Sequence, residues 1–343
     1  MRYPDFLHEK ETIGFLAPSL GCSTEPYKSC FENAQKIFLE QGYNLTFGPN
    51  CTRADGIGIS STPQSCGEEL TFSYMSKDSQ ILISCGGGEM MCEILPYVDF
   101  DAISKASPKW FMGYSDNTNF TFLSAILADT ATLYAPCVGD FGMEHWHEAV
   151  QDAWDLLTGK KLTFHNYTSW ESEKIKDETR PLVGYNPTEP TVIKTFCTPK
   201  TTEATFSGRL IGGCLDCLVN LCGTRFDQIQ SFNEKYKEDG IIWFLEACEL
   251  NVFGIRRAIW QLKNAGWFEH VKGFLIGRPG CFGEMAFGLD QYHAVTDLLE
   301  EYKVPIIMDL DIGHKPPMMP IICGSTANVK VNGPEFSIEY TME

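Results

Sequence analysis

The sequence predicts an α/β fold with parallel strands, divided into two domains. Three observations carry this. Short apolar runs alternate with helical stretches along the chain. The early runs end in loops of small residues, as parallel strands do on the binding side of an open sheet. A polar, aperiodic stretch interrupts the pattern in a chain of 343 residues, which is long for one average domain.

Thr12–Ala17 is expected as a strand entering a Pro-Ser-Leu-Gly loop, and Ser29–Gln41 as an amphipathic helix. Ser79–Ser84 is a second buried strand, ending in Cys85-Gly86-Gly87-Gly88. Trp110–Met112 is a third, followed by a turn and the helix Asn119–Leu127. From about Leu157 to Thr195 the chain is polar and holds Asn186-Pro187-Thr188-Glu189-Pro190, the composition of a linker with a long irregular loop. Strands then return at Thr205–Leu210, Gly240–Glu246, Gly273–Gly277 and Ile306–Leu310. Helices are expected between them at Gly212–Cys222, Val252–Asn264 and Asp290–Tyr302. Ala327–Tyr340 alternates apolar and polar residues around Asn332-Gly333 and predicts a terminal hairpin. The resulting division is an N-terminal domain over 1–165, a linker and substrate loop over 166–195, and a C-terminal domain over 196–343.

Composition narrows the function. Hydrophobic residues make up 43% and charged residues 21%, enough apolar surface for sizeable cores. The formal net charge is −18, which disfavours polymeric nucleic acid and anionic membranes, since both reward clustered Lys and Arg. The N-terminus lacks a basic segment followed by a long apolar one, and no apolar run approaches membrane-spanning length. The expectation is a cytoplasmic protein. Fourteen cysteines in such a chain are read mainly as small core residues. The lone Cys-x-x-Cys, Cys214 to Cys217, lacks the second pair a structural zinc site needs, so no metal is expected and helix packing is the preferred reading.

Gly113-Tyr114-Ser115-Asp116-Asn117 joins an apolar strand to a helix. A serine there projects its hydroxyl from a sharp turn, beside backbone N–H groups of the helix start. It departs from Gly-x-Ser-x-Gly, because Asn117 replaces the second glycine, and an N-cap serine is an equal reading of the motif alone. The triple glycine before Glu89 lets backbone approach a ligand and can supply half of an oxyanion hole. A dinucleotide phosphate loop is disfavoured, since Met91 stands where a third spaced glycine belongs; a plain turn is the other reading. Among seven histidines, His314 follows a buried strand and precedes Lys315-Pro316-Pro317, a position for an active loop. Glu246 ends the most apolar strand, where a carboxylate needs a partner; Glu249 is the fallback, and a helix-capping role is the alternative for Glu246.

Together these pieces resemble the LD-carboxypeptidase family of serine peptidases, which also contains the microcin C immunity proteins. The resemblance spans Gly14–Ser19, Gly86-Gly87, Leu95–Asp99, Gly113–Asp116, Gly208–Gly213, Phe244–Glu246, Gly277-Arg278 and Gly313-His314. It implies an N-terminal Rossmann- or flavodoxin-like parallel sheet, a C-terminal swivelling α/β domain with a terminal β-hairpin, and a homodimer. It implies a Ser115 nucleophile, a Glu246 acid and a His314 base, with Gly87 and the Asp116 backbone as oxyanion hole. The implied reaction is cofactor-free amide hydrolysis through an acyl-enzyme. The substrate is either a murein tetrapeptide, losing D-alanine, or an aminoacyl nucleotide of the microcin C kind. Gly88, Trp170 and Tyr185 are candidate substrate contacts; the aromatics can stack on a base, or else pack their loop onto the body. Two other classes stay open: a non-catalytic ligand-binding protein on the same scaffold, and an unrelated α/β-hydrolase esterase.

Overall fold

A computed structural model describes residues 1–197 and 201–342. The chain forms two compact α/β units. The first comprises Met1–Lys161 and Glu173–Asn186, and the second Leu162–Ser172 and Pro187–Glu343. The chain thus passes between the units three times, and the segment 166–195 is shared between the two.

In the first unit β1 (Thr12–Leu16), β2 (Asn44–Phe47), β3 (Ile81–Ser84), β4 (Trp110–Gly113) and β5 (Thr132–Tyr134) pair in parallel in the order β2-β1-β3-β4-β5. This is the flavodoxin-like order, and its reversal lies between β1 and β3. The loops after those two strands therefore face a ready-made crevice. Helices α1 (Tyr27–Glu40), α2 (Pro63–Met75), α3 (Phe100–Lys105) and α4 (Thr118–Leu127) make the crossovers, and α5 (Glu148–Leu157) follows β5. The helix α1 buries Cys30, Phe31, Ala34 and Phe38, one face of a 3.6-residue period. Phe38 stacks on Trp154 of α5 with ring centroids 5.1 Å apart, and Phe15 of β1 meets Phe31 edge-on at 5.4 Å. Caps define the helix starts: the Thr62 side chain accepts from Ser65 N ahead of α2, and Asp99 accepts from Ala102 N ahead of α3.

The second unit is built on one mixed sheet. Its strands are β6 (Thr163–His165), β7 (Lys194–Phe196), β8 (Glu203–Cys214), β9 (Ile241–Glu246), β10 (Val271–Gly277), β11 (Ile306–Leu310), β12 (Thr326–Asn332) and β13 (Glu335–Thr341). They run in the order β6-β13-β12-β8-β9-β10-β11-β7. The four central strands β8-β9-β10-β11 are parallel, and the outer ones antiparallel. Helices α6 (Leu215–Leu221), α7 (Ile229–Lys235), α8 (Val252–Asn264) and α9 (Gln291–Leu299) connect them. The strand β9 is buried along its whole length, as a central parallel strand covered on both faces must be.

The terminal hairpin forms as expected, with Gly333-Pro334 as its two-residue turn. Gly333 has φ of +59° and proline cannot follow it into positive φ, so the turn is of the II′ kind and Asn332 ends β12. One expected boundary is wrong. The helix predicted from Gly212 begins only at Leu215, because Gly212, Gly213 and Cys214 stay extended and pair with Phe244, Leu245 and Glu246. No described helix is long and apolar enough to cross a membrane.

Candidate active site

Ser115 follows β4 at the turn into α4 and has φ of +62°. A β-carbon makes that conformation costly, by about 1 kcal/mol or more, so the surrounding structure must impose it. The imposing contacts are local. Ser115 N donates to the Tyr134 hydroxyl at 3.2 Å. Asn117, fully buried, donates from Nδ2 to Gly86 O at 2.9 Å and to Tyr114 O at 3.0 Å. The side chain that replaces the second glycine of the hydrolase pattern therefore ties the glycine loop after β3 to the serine turn.

Gly87 approaches the serine closely. A β-carbon at Gly87 would stand 3.0 Å from the Oγ of Ser115, so any larger residue there would crowd the hydroxyl. Gly87 O accepts from Leu20 N at 3.0 Å, which binds the loop after β1 to the loop after β3. Gly88 is hemmed in by Ser19, Gly58 and Leu20. Asp116 is buried, and its Oδ2 accepts from Ser19 Oγ at 2.6 Å and from Met91 N at 2.9 Å. Its Oδ1 accepts from Asn119 Nδ2 at 3.0 Å. Burial pushes the Asp116 carboxyl up to about 6, against the pull of these hydrogen bonds. The Asp116 side chain thus clamps the turn and leaves its backbone at the helix start. Ser19, Asn117 and Asn119 went unassigned in the sequence; the only signal was an unusual density of short polar residues around an apolar strand.

Glu246 and His314 meet within the second unit. His314 Nδ1 donates to Glu246 Oε2 at 2.9 Å. The Glu246 side chain is fully buried and that of His314 is 19% exposed, so the ring keeps partial access to solvent. Burial works against the imidazolium, but the Glu246 charge and the hydrogen bonds to Cys248 and Glu246 outweigh it and hold His314 well above the ordinary histidine value. Gly313 has φ of +95°, and a β-carbon there would run into the Glu246 carboxylate. Such a pair can take and return a proton at the imidazole, its ring oriented by the acid.

The loop that carries His314 is anchored from beneath. Arg278 and Asp311 form an ion pair with both side chains buried. Arg278 Nη1 also donates to Asp309 O at 2.8 Å, and Asp311 Oδ2 accepts from Tyr167 N at 2.7 Å. Trp170 is 6% exposed; its ring lies 4.9 Å from that of Phe282, with the Arg278 guanidinium 5.2 Å away. Tyr185 belongs to the first unit and donates to Asp140 Oδ1 at 3.0 Å. The fold thus brings Gly87, Gly88, Ser115 and Asp116 together in the first unit, and Glu246 with His314 in the second.

Residues 13–135 match the LD-carboxypeptidase N-terminal domain, and residues 207–329 the LD-carboxypeptidase C-terminal domain. The chain belongs to the LD-carboxypeptidase family. Its members are serine-peptidase-type hydrolases. Within the family, the chain is 26% identical over 340 residues to the microcin C7 self-immunity protein MccF of Escherichia coli, covering 96% of this chain and 93% of that one. It shares the fold of the MccF-like protein from Bacillus anthracis, with a TM-score of 0.82 and 23% identity over the whole of both chains. It likewise shares the fold of MccF in complex with glutamyl sulfamoyl guanosine, with a TM-score of 0.80 and 22% identity over 98% of each chain.

Proposed function

We propose that this protein is a serine hydrolase that cleaves the amide joining an aminoacyl group to a nucleotide-like leaving group. Ser115 Oγ attacks the acyl carbonyl while His314 takes its proton. The backbone N–H groups of Gly87 and Asp116 receive the developing oxyanion. His314 then protonates the leaving nitrogen, and the C–N bond breaks to give an acyl-Ser115 ester. Water, deprotonated by His314, attacks that ester, and the freed Ser115 oxygen recovers the proton. Glu246 keeps the imidazole in one tautomer and stabilises its cation. These steps call for no cofactor.

The observation that carries this reading is Ser115 held at positive φ on a strand-to-helix turn, a β-carbon's width from Gly87. The substrate class is supported by the relationship to a microcin self-immunity protein over nearly the full length of both chains. It is further supported by complexes of fold neighbours with aminoacyl sulfamoyl nucleosides.

The test is a hydrolysis panel comparing an aminoacyl-sulfamoyl-adenosine with a murein tetrapeptide, for the wild type and Ser115→Ala. The expected result is cleavage of the first, reduced by about 10⁴-fold or more in the variant. Cleavage of the tetrapeptide alone would move the protein to the carboxypeptidase reading. Wild-type rates in the variant would remove Ser115 as nucleophile.

A further inference from the structure

The proposed hydrolysis makes no use of Cys214, the first residue of the sequence's Cys-x-x-Cys pair. In the fold Cys214 ends β8 opposite Glu246 of β9. Its Sγ, a Glu246 carboxylate oxygen and a His314 ring nitrogen all lie within 4.8 Å of one another. A second thiol, Cys248, is within hydrogen-bonding reach of His314. Cys217 is likewise within reach of Cys214.

We infer that this cluster is an inhibitory binding site for a thiophilic divalent cation of the zinc class. Cys214, Glu246 and His314 are its ligands, and a water molecule completes the tetrahedral shell. The donor set is the argument. Sulfur, imidazole nitrogen and one carboxylate suit zinc, whereas magnesium and calcium want oxygen alone. Ligand atoms around a tetrahedral zinc lie about 3.5 Å apart, so side-chain rotations that close the cluster by about 1 Å complete the site. His314 and Cys248 are both partly exposed and give the ion its route in. The S–H bond of Cys214 breaks as the zinc–sulfur bond forms, and its proton goes to solvent. The His314 ring proton that faces Glu246 shifts to the other ring nitrogen as zinc takes its place, and no electrons change hands. Resting on the reading of His314 as the base, a ring held by zinc cannot accept the Ser115 proton, so the ion switches hydrolysis off.

The binding test is independent of turnover. Full-length protein freed of metal with a chelator is titrated with zinc against a chromophoric competitor, and separately with cobalt(II). The wild type and Ser115→Ala should each bind one ion per chain, with a thiolate-to-cobalt charge-transfer band. Cys214→Ser should lose the band and bind zinc more than about tenfold more weakly, since even loss of an outer-shell partner costs that much. Cys248→Ser serves as the second variant, and thermal melts check that both fold. Zinc bound equally by Cys214→Ser and His314→Gln, or not bound by the wild type, overturns the site while leaving the hydrolysis reading intact. Zinc held at the cluster with turnover undiminished overturns the inhibitory role and the assignment of His314 as base together.

Discussion

A single carboxylate sets the chemistry open to His314. A general base must be neutral to accept a proton, and the Glu246 charge favours the cation. The rate constant kcat/KM should therefore climb with pH, with a midpoint above the ordinary histidine value of about 6.5. In Glu246→Gln the largest influence favouring the cation is gone, so the midpoint should fall from the wild-type value while kcat falls about 10⁴-fold. A pH–rate profile of both proteins checks this, and an unmoved midpoint would contradict the pairing. The same raised value has a stability consequence. The folded state holds the His314 proton more tightly than the unfolded chain. The pair's stabilisation is thus full below about pH 6.5 and is lost as pH rises through the folded value. Gly313 is the second residue on which the pair depends. Gly313→Ala should strain the loop by about 1–3 kcal/mol and drive the Glu246 carboxylate off the ring. The expected result is the Glu246→Gln pH profile with the acid still present; a wild-type profile would show that the loop gives way instead.

At the scale of elements, β8 repays attention. The Gly-Gly-Cys run reads as the start of a helix, yet the strand continues through it. The backbone of Gly212, at φ of +152°, passes so close to Phe244 O that a β-carbon has no place. Gly212→Ala should cost about 2 kcal/mol or more, read as a lower midpoint in urea unfolding, and an unchanged midpoint would mean the strands can part. The elements missed in the sequence share a cause. β2 is an edge strand with exposed ends and no clean alternation. The buried face of α2 includes Gly67 and Glu69, and Glu69 is tolerated there because Asn50 donates to it from both N and Nδ2 and Ala17 donates from its backbone N. Their partners are far along the chain, so local periodicity does not record them. β9, α8 and β11 were legible to the residue or nearly so, since each buries an unbroken apolar face.

Across the whole molecule, charge is the dominant global property. A net charge of −18 places mutual repulsion on the folded state, so raising salt to about 0.5 M should raise the thermal midpoint by a few degrees. A scan at two ionic strengths tests this, and a fall would mean that specific ion pairs outweigh the general repulsion. By itself the sequence determined the α/β class, the strands that end at the site, the acidic surface and the identity of Ser115, Glu246 and His314 as candidates. These are written in short-range patterns: apolar runs, small-residue loops, and chemistry at strand ends. The tertiary structure alone decided the bond between Glu246 and His314, the clamp of Ser19 on Asp116, and the placement of Cys214 beside the pair. Glu246 and His314 are 68 positions apart in the chain, and Ser19 and Asp116 are 97 apart. Parallel pairing joins strands that are distant in sequence, and it is the register between them that decides which side chains share a strand end.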